Sequence, residues 1–133
     1  MRPPAIERFL AVGAFAVVGA SDDRDKYGNK VLRCYQQHGL PVVGVHPRRT
    51  EVEGAPCYAA LTAVPGPPRA VSIVAPPAAA PRIVADAIAA GCKHLWFQPG
   101  AEQADAIAAA RQAGLEVIAD GPCVLVALGF RDV

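Results

Sequence analysis

The stretch FAVVGASDDRDKYGN, residues 15–29, decides how this chain folds. Its first four residues form an unbroken apolar run, which is typical of a strand covered on both faces in a parallel sheet. Gly19 then permits a sharp turn, and the serine and two aspartates that follow supply turn-forming side chains. A helix is predicted to begin near Lys26. The stretch therefore predicts a strand, a glycine turn and a helix in succession.

The glycine turn predicts an anion site. The first amides of a helix have no partner within the helix and carry a partial positive charge, which favours binding of a phosphate. The alternative is that Gly19 only makes a tight connection and binds nothing. A complete dinucleotide fingerprint would have glycine at the third and sixth positions counted from Gly19, where this chain has Ser21 and Arg24. The pattern therefore indicates a phosphate group more strongly than a nicotinamide cofactor.

Length and composition predict one globular domain over residues 1–133. The chain is 53% hydrophobic and 19% charged, with a net charge of +1. These values are typical of neither a disordered chain nor a nucleic-acid-binding surface, so no nucleic-acid partner is expected. Residues 1–10 lack the apolar core of a signal peptide, and no apolar run is long enough to span a bilayer. We therefore expect a cytoplasmic protein with no membrane partner.

The cysteines and histidines predict neither a metal site nor a disulfide framework. The cysteines are far apart and form no CxxC pair, and the histidines lack ligand-like spacing. These residues are Cys34, Cys57, Cys92 and Cys123, and His38, His46 and His94.

A basic segment follows the second predicted strand, which covers residues 42–45. It reads His46, Pro47, Arg48 and Arg49. In a nicotinamide-binding fold, an acidic residue at this point would hold the adenosine ribose hydroxyls. Two arginines beside the glycine turn instead indicate a ribose that carries a phosphate, as in NADP or coenzyme A. The alternative is that both arginines are solvated surface side chains.

The rest of the chain alternates strands and helices. The segment 50–68 is rich in proline and predicts a loop or short helix that covers the sheet. Further strands are predicted over residues 70–74, 94–97 and 116–119, and helices over residues 4–12, 26–38, 81–91 and 101–113. Trp96 and Phe97 are predicted to be core residues, whereas Gln98 stands at the carboxyl end of its strand, where it could reach a ligand.

This order predicts an α/β fold with a doubly wound parallel sheet and helices on both faces. Because parallel crossovers are right-handed, we expect five strands in the order 3-2-1-4-5. Ligands bind such sheets at the point where the strand order reverses. That point is predicted between strands one and four, beside the glycine turn and Gln98.

Five short motifs together carry a resemblance to a known family. They are VVGAS at 17–21, KYG at 26–28, HPR at 46–48, WFQPG at 96–100 and the segment around Cys123. In this order and spacing they resemble the small stand-alone CoA-binding proteins. Those are similar to the CoA-binding domain at the start of the succinyl-CoA synthetase alpha subunit.

The resemblance implies a Rossmann-like fold that binds coenzyme A. It assigns ligand contact to residues at the ends of four strands, with two neighbours on the first helix; Arg49 joins them from the argument on the basic segment. The predicted binding residues are Gly19, Ala20, Ser21, Lys26, Tyr27, Pro47, Arg48, Arg49, Val74, Ala75, Pro76 and Gln98. The synthetase's phosphorylated histidine belongs to a second domain, and none of the three histidines here lies in a comparable segment. Ligase chemistry is therefore not implied.

The leading hypothesis is non-catalytic binding of CoA or an acyl-CoA, in a carrier, sensor or adaptor whose protein partner is not predicted. The alternative is a small NADP-dependent oxidoreductase or another nucleotide-binding protein, although no Ser, Tyr and Lys catalytic set is evident. Cys123 either lies within reach of the CoA thiol or is an inert, buried thiol.

Overall fold

A seven-stranded sheet organises residues 2–133, which are the residues that the computed structural model describes. The strands are β1 (Phe15–Val18), β2 (Val42–Val45), β3 (Glu51–Val52), β4 (Ala55–Tyr58), β5 (Ala70–Ile73), β6 (His94–Phe97) and β7 (Glu116–Ile118). The α-helices are α1 (Pro4–Ala11), α2 (Tyr27–Gln37), α3 (Ala80–Ala89), α4 (Ala104–Gln112) and α5 (Val124–Leu128). Short 3-10 helices cover Leu61–Ala63 and Pro77–Ala79.

The strand order is β3-β4-β2-β1-β5-β6-β7, and every neighbouring pair except β3 and β4 is parallel. The prediction of five strands in the order 3-2-1-4-5 is therefore wrong in both number and order. The third predicted strand, now β5, pairs with β1, with Phe15 opposite Ala70, and does not lie beyond β2. A right-handed crossover can place it on either side, and here the far edge of β2 is occupied by β4.

The segment 50–68 was predicted as a loop or short helix and instead begins with a hairpin. Glu53 and Gly54, both with positive φ, form the two-residue turn between β3 and β4. β4 then pairs with β2, with Gly44 opposite Cys57. The hairpin was missed because Pro56 lies within a strand, which argues against a strand in the sequence.

Helices cover both faces of the sheet, as predicted. Along β1, Ala16 belongs to the core beneath α3 and α4, whereas Phe15 and Val17 belong to the core beneath α1, α2 and α5. Trp96 and Phe97 are fully buried on opposite faces, which confirms their predicted place in the core. Two opposed cores explain why β1 is apolar throughout.

The helix boundaries lie within a few residues of the predicted ones. α4 begins at Ala104, not at residue 101, because the Gln103 side chain accepts a hydrogen bond from the Ala106 amide and caps the helix there. The apolar tail 124–130, for which no element was predicted, contains α5. Among residues 2–133, no helix has the length and apolar character needed to cross a membrane.

Candidate functional site

The strand order reverses between β1 and β5. From β1 the chain continues to β2 on one side, and from β5 it continues to β6 on the other. The carboxyl ends of these two strands therefore bound a crevice, which is where α/β sheets bind ligands. The predicted reversal point, between β1 and the strand that is now β6, is wrong by one strand because β5 lies between the two.

Two clefts open at this edge and share Gly19 and Ala75. The first cleft has a volume of about 430 Å³ and is lined by Gly19, Ser21, Lys26, Tyr27, Gly28, Val74, Ala75, Pro76, Pro99, Gly100 and Ala101. The second cleft, of about 510 Å³, extends towards the end of β2 and the start of α3. Its walls are mainly apolar and include Pro47, Leu61, Ala79 and Ile83. Each volume is typical of a small-molecule site.

Three backbone segments meet at the first cleft without intervening side chains. Gly19 has a φ of +97°, and a Cβ atom there would overlap the carbonyl oxygen of Val74. A Cβ atom on Gly28 would in turn overlap the carbonyl oxygen of Gly19. The glycine turn is therefore held between β5 and the first turn of α2, and only glycine fits at both positions.

Unpartnered amides cluster on this turn. The N-cap residue of α2, Lys26, makes no side-chain cap, and in the described residues the amides of 27–29 have no acceptor. The amides of 20–22 likewise have no acceptor there. Together with the partial positive charge of the helix start and the exposed Lys26 side chain, these amides form a site suited to phosphate.

The basic segment after β2 lies beside the glycine turn, and its two arginines differ. Arg49 forms an ion pair with Asp22 of the turn, with 2.6 Å between Nη1 and Oδ2, so part of its charge is used within the protein. Arg48 is exposed, and its side chain has no partner among the described residues; only its amide is engaged, donating to Nδ1 of His46 at 3.1 Å. Partial burial, followed by the two arginines, lowers the pKa of His46.

Gln98 is fully buried and does not line either cleft. Its Oε1 accepts hydrogen bonds from the Val124 amide at 2.9 Å and from the Tyr27 hydroxyl at 3.4 Å, while its Nε2 has no partner in the described residues. The Tyr27 hydroxyl also contacts the half-buried Cys123 thiol. Burial, followed by the contact with Cys123, raises the pKa of Tyr27, so its hydroxyl is protonated at neutral pH.

The structure thus divides the predicted binding residues. Those that line the first cleft are Gly19, Ser21, Lys26, Tyr27, Val74, Ala75 and Pro76. Pro47 lines the second cleft, and Arg48 and Arg49 are exposed beside the clefts. Ala20 and Gln98 are buried and line neither cleft. Gly28, Pro99 and Gly100 were missed, although a glycine at the start of a helix and a Pro-Gly pair after a strand are both signs of close backbone approach.

The described residues contain no cluster of three or more His, Cys, Asp or Glu side chains placed to hold a metal ion. Their four cysteines are free thiols, and three of them, Cys34, Cys57 and Cys92, are buried.

Residues 13–129 match the model of the protein family described as CoA binding domain. This chain belongs to that family. The membership confirms the resemblance to CoA-binding proteins that the five sequence motifs carry, and the matched region contains both clefts.

Proteins similar to this chain include one that it matches over nearly its whole length and enzymes of which it matches only a part. A conserved hypothetical protein from Pyrococcus furiosus is 36% identical, with a TM-score of 0.80, over 86% of this chain and 97% of its own. The ADP-forming acetate–CoA ligase I of Archaeoglobus fulgidus is 24% identical over 85% of this chain, which spans 18% of the ligase. The dinucleotide-forming acetyl-coenzyme A synthetase 1 of Ca. Korarchaeum cryptofilum, solved with phosphate and ADP, is 27% identical, with a TM-score of 0.72, over 80% of this chain and 25% of its own.

Proposed function

We propose that this domain binds coenzyme A, free or acylated, in the two joined clefts, and that it acts as a carrier, sensor or adaptor and not as an enzyme. The observation that carries the proposal is the cluster of unpartnered amides where Gly19 and Gly28 meet. Backbone amides that are shielded from water are normally paired, so the amides left without an acceptor here are donors available to a ligand. The cluster suits the pyrophosphate of a nucleotide.

The surroundings of the amide cluster fit the other parts of CoA. The apolar second cleft, between Pro47 and Ala79, suits an adenine ring. Arg48, whose guanidinium is free, suits the 3′-phosphate on the ribose. In the first cleft, Val74, Ala75 and Pro76 offer an extended wall along which a pantetheine arm would run towards Tyr27.

Titration calorimetry with CoA and dephospho-CoA tests this assignment. Charge-assisted hydrogen bonds to a phosphate contribute about 1.5 to 3 kcal/mol, so we expect CoA to bind roughly ten-fold or more tightly than dephospho-CoA. Arg48→Ala should remove most of that difference and leave the affinity for dephospho-CoA nearly unchanged.

Arg111→Ala is the matched control, because Arg111 is an equally exposed arginine on α4, away from both clefts. It should leave both affinities unchanged. NADP is the competing ligand, since its ribose phosphate is on the 2′ oxygen. Tighter binding of NADP than of CoA would replace the proposal with the nucleotide-cofactor alternative, and equal binding of CoA and dephospho-CoA would remove Arg48 from the site.

A further inference from the structure

Two polar side chains are buried in the core face of α2, one turn apart. Asn29 is 0% exposed and Arg33 is 4% exposed, and Arg33 Nε donates a hydrogen bond of 2.6 Å to Asn29 Oδ1. Burying an amide and a guanidinium is unfavourable unless both are well bonded. Their remaining partners therefore show what the pair holds in place.

Asn29 holds the glycine turn. Its Nδ2 donates to the Ser21 carbonyl oxygen at 2.8 Å and to Glu53 Oε2 at 3.0 Å, so both amide hydrogens are used. The Ser21 carbonyl and the Asp22 amide belong to one planar, trans peptide unit, in which C=O and N–H point in opposite directions. Because the Ser21 carbonyl oxygen is held towards Asn29, the Asp22 N–H points away from Asn29. Asn29 therefore sets the direction of an amide in the anion cluster.

Arg33 connects the same turn to residues 130–133, which we call the C-terminal segment. Arg33 Nη2 donates hydrogen bonds to the carbonyl oxygen of Arg24, in the turn, and to Asp132 Oδ1, each at 3.3 Å. Nη1 donates to the Val133 carbonyl oxygen at 3.3 Å. The guanidinium also lies 5.1 Å from the centre of the Phe130 ring. One buried cation thus contacts both the turn and the C-terminal segment.

Glu53 attaches the β3–β4 hairpin to this network. It accepts hydrogen bonds from Arg24 at 3.0 and 3.2 Å as well as from Asn29, and it lies at the positive-φ position of the hairpin turn. The turn, the hairpin and the C-terminal segment therefore share one set of polar contacts, centred on Asn29 and Arg33.

We propose that Asn29 and Arg33 are positioning residues for the anion-binding turn, and that through Arg33 ligand binding at the turn is coupled to the docking of the C-terminal segment. This inference rests on the proposed function, since it takes CoA as the ligand. Such coupling is reciprocal. A ligand that orders the turn strengthens the docking of residues 130–133, and a change that weakens this docking also weakens binding of the ligand.

Asn29→Asp tests the positioning role with little change in size. The carboxylate retains an acceptor for Arg33 but has no hydrogens to give to Ser21, and it faces Glu53. We expect the affinities for CoA and dephospho-CoA to fall by the same factor, about five-fold or more, because the turn and not the ribose phosphate is affected. An effect confined to CoA, or an unchanged affinity in a folded variant, would overturn the positioning role.

Hydrogen exchange of residues 130–133, with and without CoA, tests the coupling. We expect CoA to slow exchange in the native protein and to slow it much less in Arg33→Met, where the bond of 3.3 Å from the Arg24 side chain to the main-chain oxygen of Val133 still joins the turn to the segment. Gln37→Ala is the matched control, because Gln37 bonds only Arg131 of the segment, at 2.5 and 3.0 Å, and does not contact the turn. It should speed exchange of the segment and leave its slowing by CoA in place.

Asp132→Ala provides a second variant at an exposed site, in case Arg33→Met does not fold. It removes the Asp132 contacts with Arg33 and with Lys30 of α2, at 3.3 and 3.4 Å, so we expect a drop of about two-fold in CoA affinity and a smaller protection of the segment by CoA. If CoA binds the native domain without changing exchange in residues 130–133, the coupling is wrong while the proposed function stands. If CoA does not bind the native domain at all, both fall.

Discussion

The chain contains two strand–turn–helix units of similar sequence design, and they differ in whether a side chain caps the helix. In the unit of β1 and α2, the helix begins without a side-chain cap, and among the described residues the amides of 20–22 and 27–29 lack acceptors. In the unit of β6 and α4, Gln103 caps the helix, and the Gly100 amide donates to Glu102 at 2.8 Å. The cap thus engages one of the first three amides of α4, whereas all three of α2 have no acceptor among the described residues.

The glycines of the two units also differ. Gly19 and Gly100 have nearly equal φ values, +97° and +95°. A Cβ atom at Gly19 would overlap the backbone of β5, whereas one at Gly100 would meet nothing within 4 Å. The first turn is enclosed by backbone, and the second is open to solvent.

The largest effect on stability and CoA binding is expected when Gly19 or Gly100 is replaced by alanine. Comparing the two variants separates the strain of a positive φ from the overlap of a Cβ atom with neighbouring backbone. Gly100→Ala should destabilise the fold by about 1 to 2 kcal/mol, because the residue must adopt a positive φ. Gly19→Ala adds the overlap with Val74 and should destabilise by about 2 to 5 kcal/mol and abolish CoA binding. Urea unfolding and calorimetry measure both quantities. Equal losses in the two variants would show that the units do not differ in packing.

A smaller effect is expected from exchanging the capping states of the two helices. Lys26→Ser supplies α2 with a cap and should stabilise the domain by about 1 kcal/mol, yet weaken CoA roughly five-fold because the serine oxygen occupies a free amide. Lys26→Ala is its control, because it removes the same charge without a cap and should weaken CoA less. Gln103→Ala uncaps α4 and should destabilise by about 1 kcal/mol without changing CoA affinity. A stronger CoA complex in Lys26→Ser would contradict the anion-site assignment.

The smallest effect concerns pH and the Glu53 carboxylate, which is bonded to two residues of the first unit, Arg24 and Asn29. Hydrogen bonds from Arg24, and then from Asn29, lower the pKa of Glu53 from 4.5 to about 2. Because the pKa of Glu53 is lower in the folded state than in the unfolded state, its ionised carboxylate stabilises the fold. This contribution to the unfolding free energy is complete above pH 4.5 and is lost as the pH falls from 4.5 towards 2. Glu53→Gln should therefore reduce the acid sensitivity of the unfolding free energy in that interval. If the variant and the native protein lose stability in parallel, Glu53 does not hold the turn.

Much of the fold could be predicted because its signals are local. The apolar run at 15–18, the glycine after it and the helical spacing of the next segment are read from neighbouring residues, and the helices and parallel strands followed from them. The family followed from five such segments in order. The hairpin at 51–58 could not be read this way, since the proline within β4 disfavours a strand unless the neighbouring strands position it.

The candidate site shows the same division. Gly19 was predicted from the turn after β1, and Val74, Ala75 and Pro76 from the resemblance to CoA-binding proteins; the structure brings them into one cleft. Gln98 was placed at the ligand from its position at a strand end, but its amide turns inward to hold the start of α5. A rule based on strand ends identifies the edge of the sheet and not the direction of each side chain.

By itself the amino-acid sequence determined the order of most strands and helices, the glycine turn and the family. Backbone preference and apolar periodicity act over a few residues, so they can be read from the sequence. The tertiary structure alone decided that β5 lies beside β1, that the turn amides are left unpartnered, and that Asn29 and Arg33 join the turn to residues 130–133. These features depend on contacts between residues far apart in the chain. Their free energies are set by which groups remain unsatisfied after the core has packed, and no local pattern records that outcome.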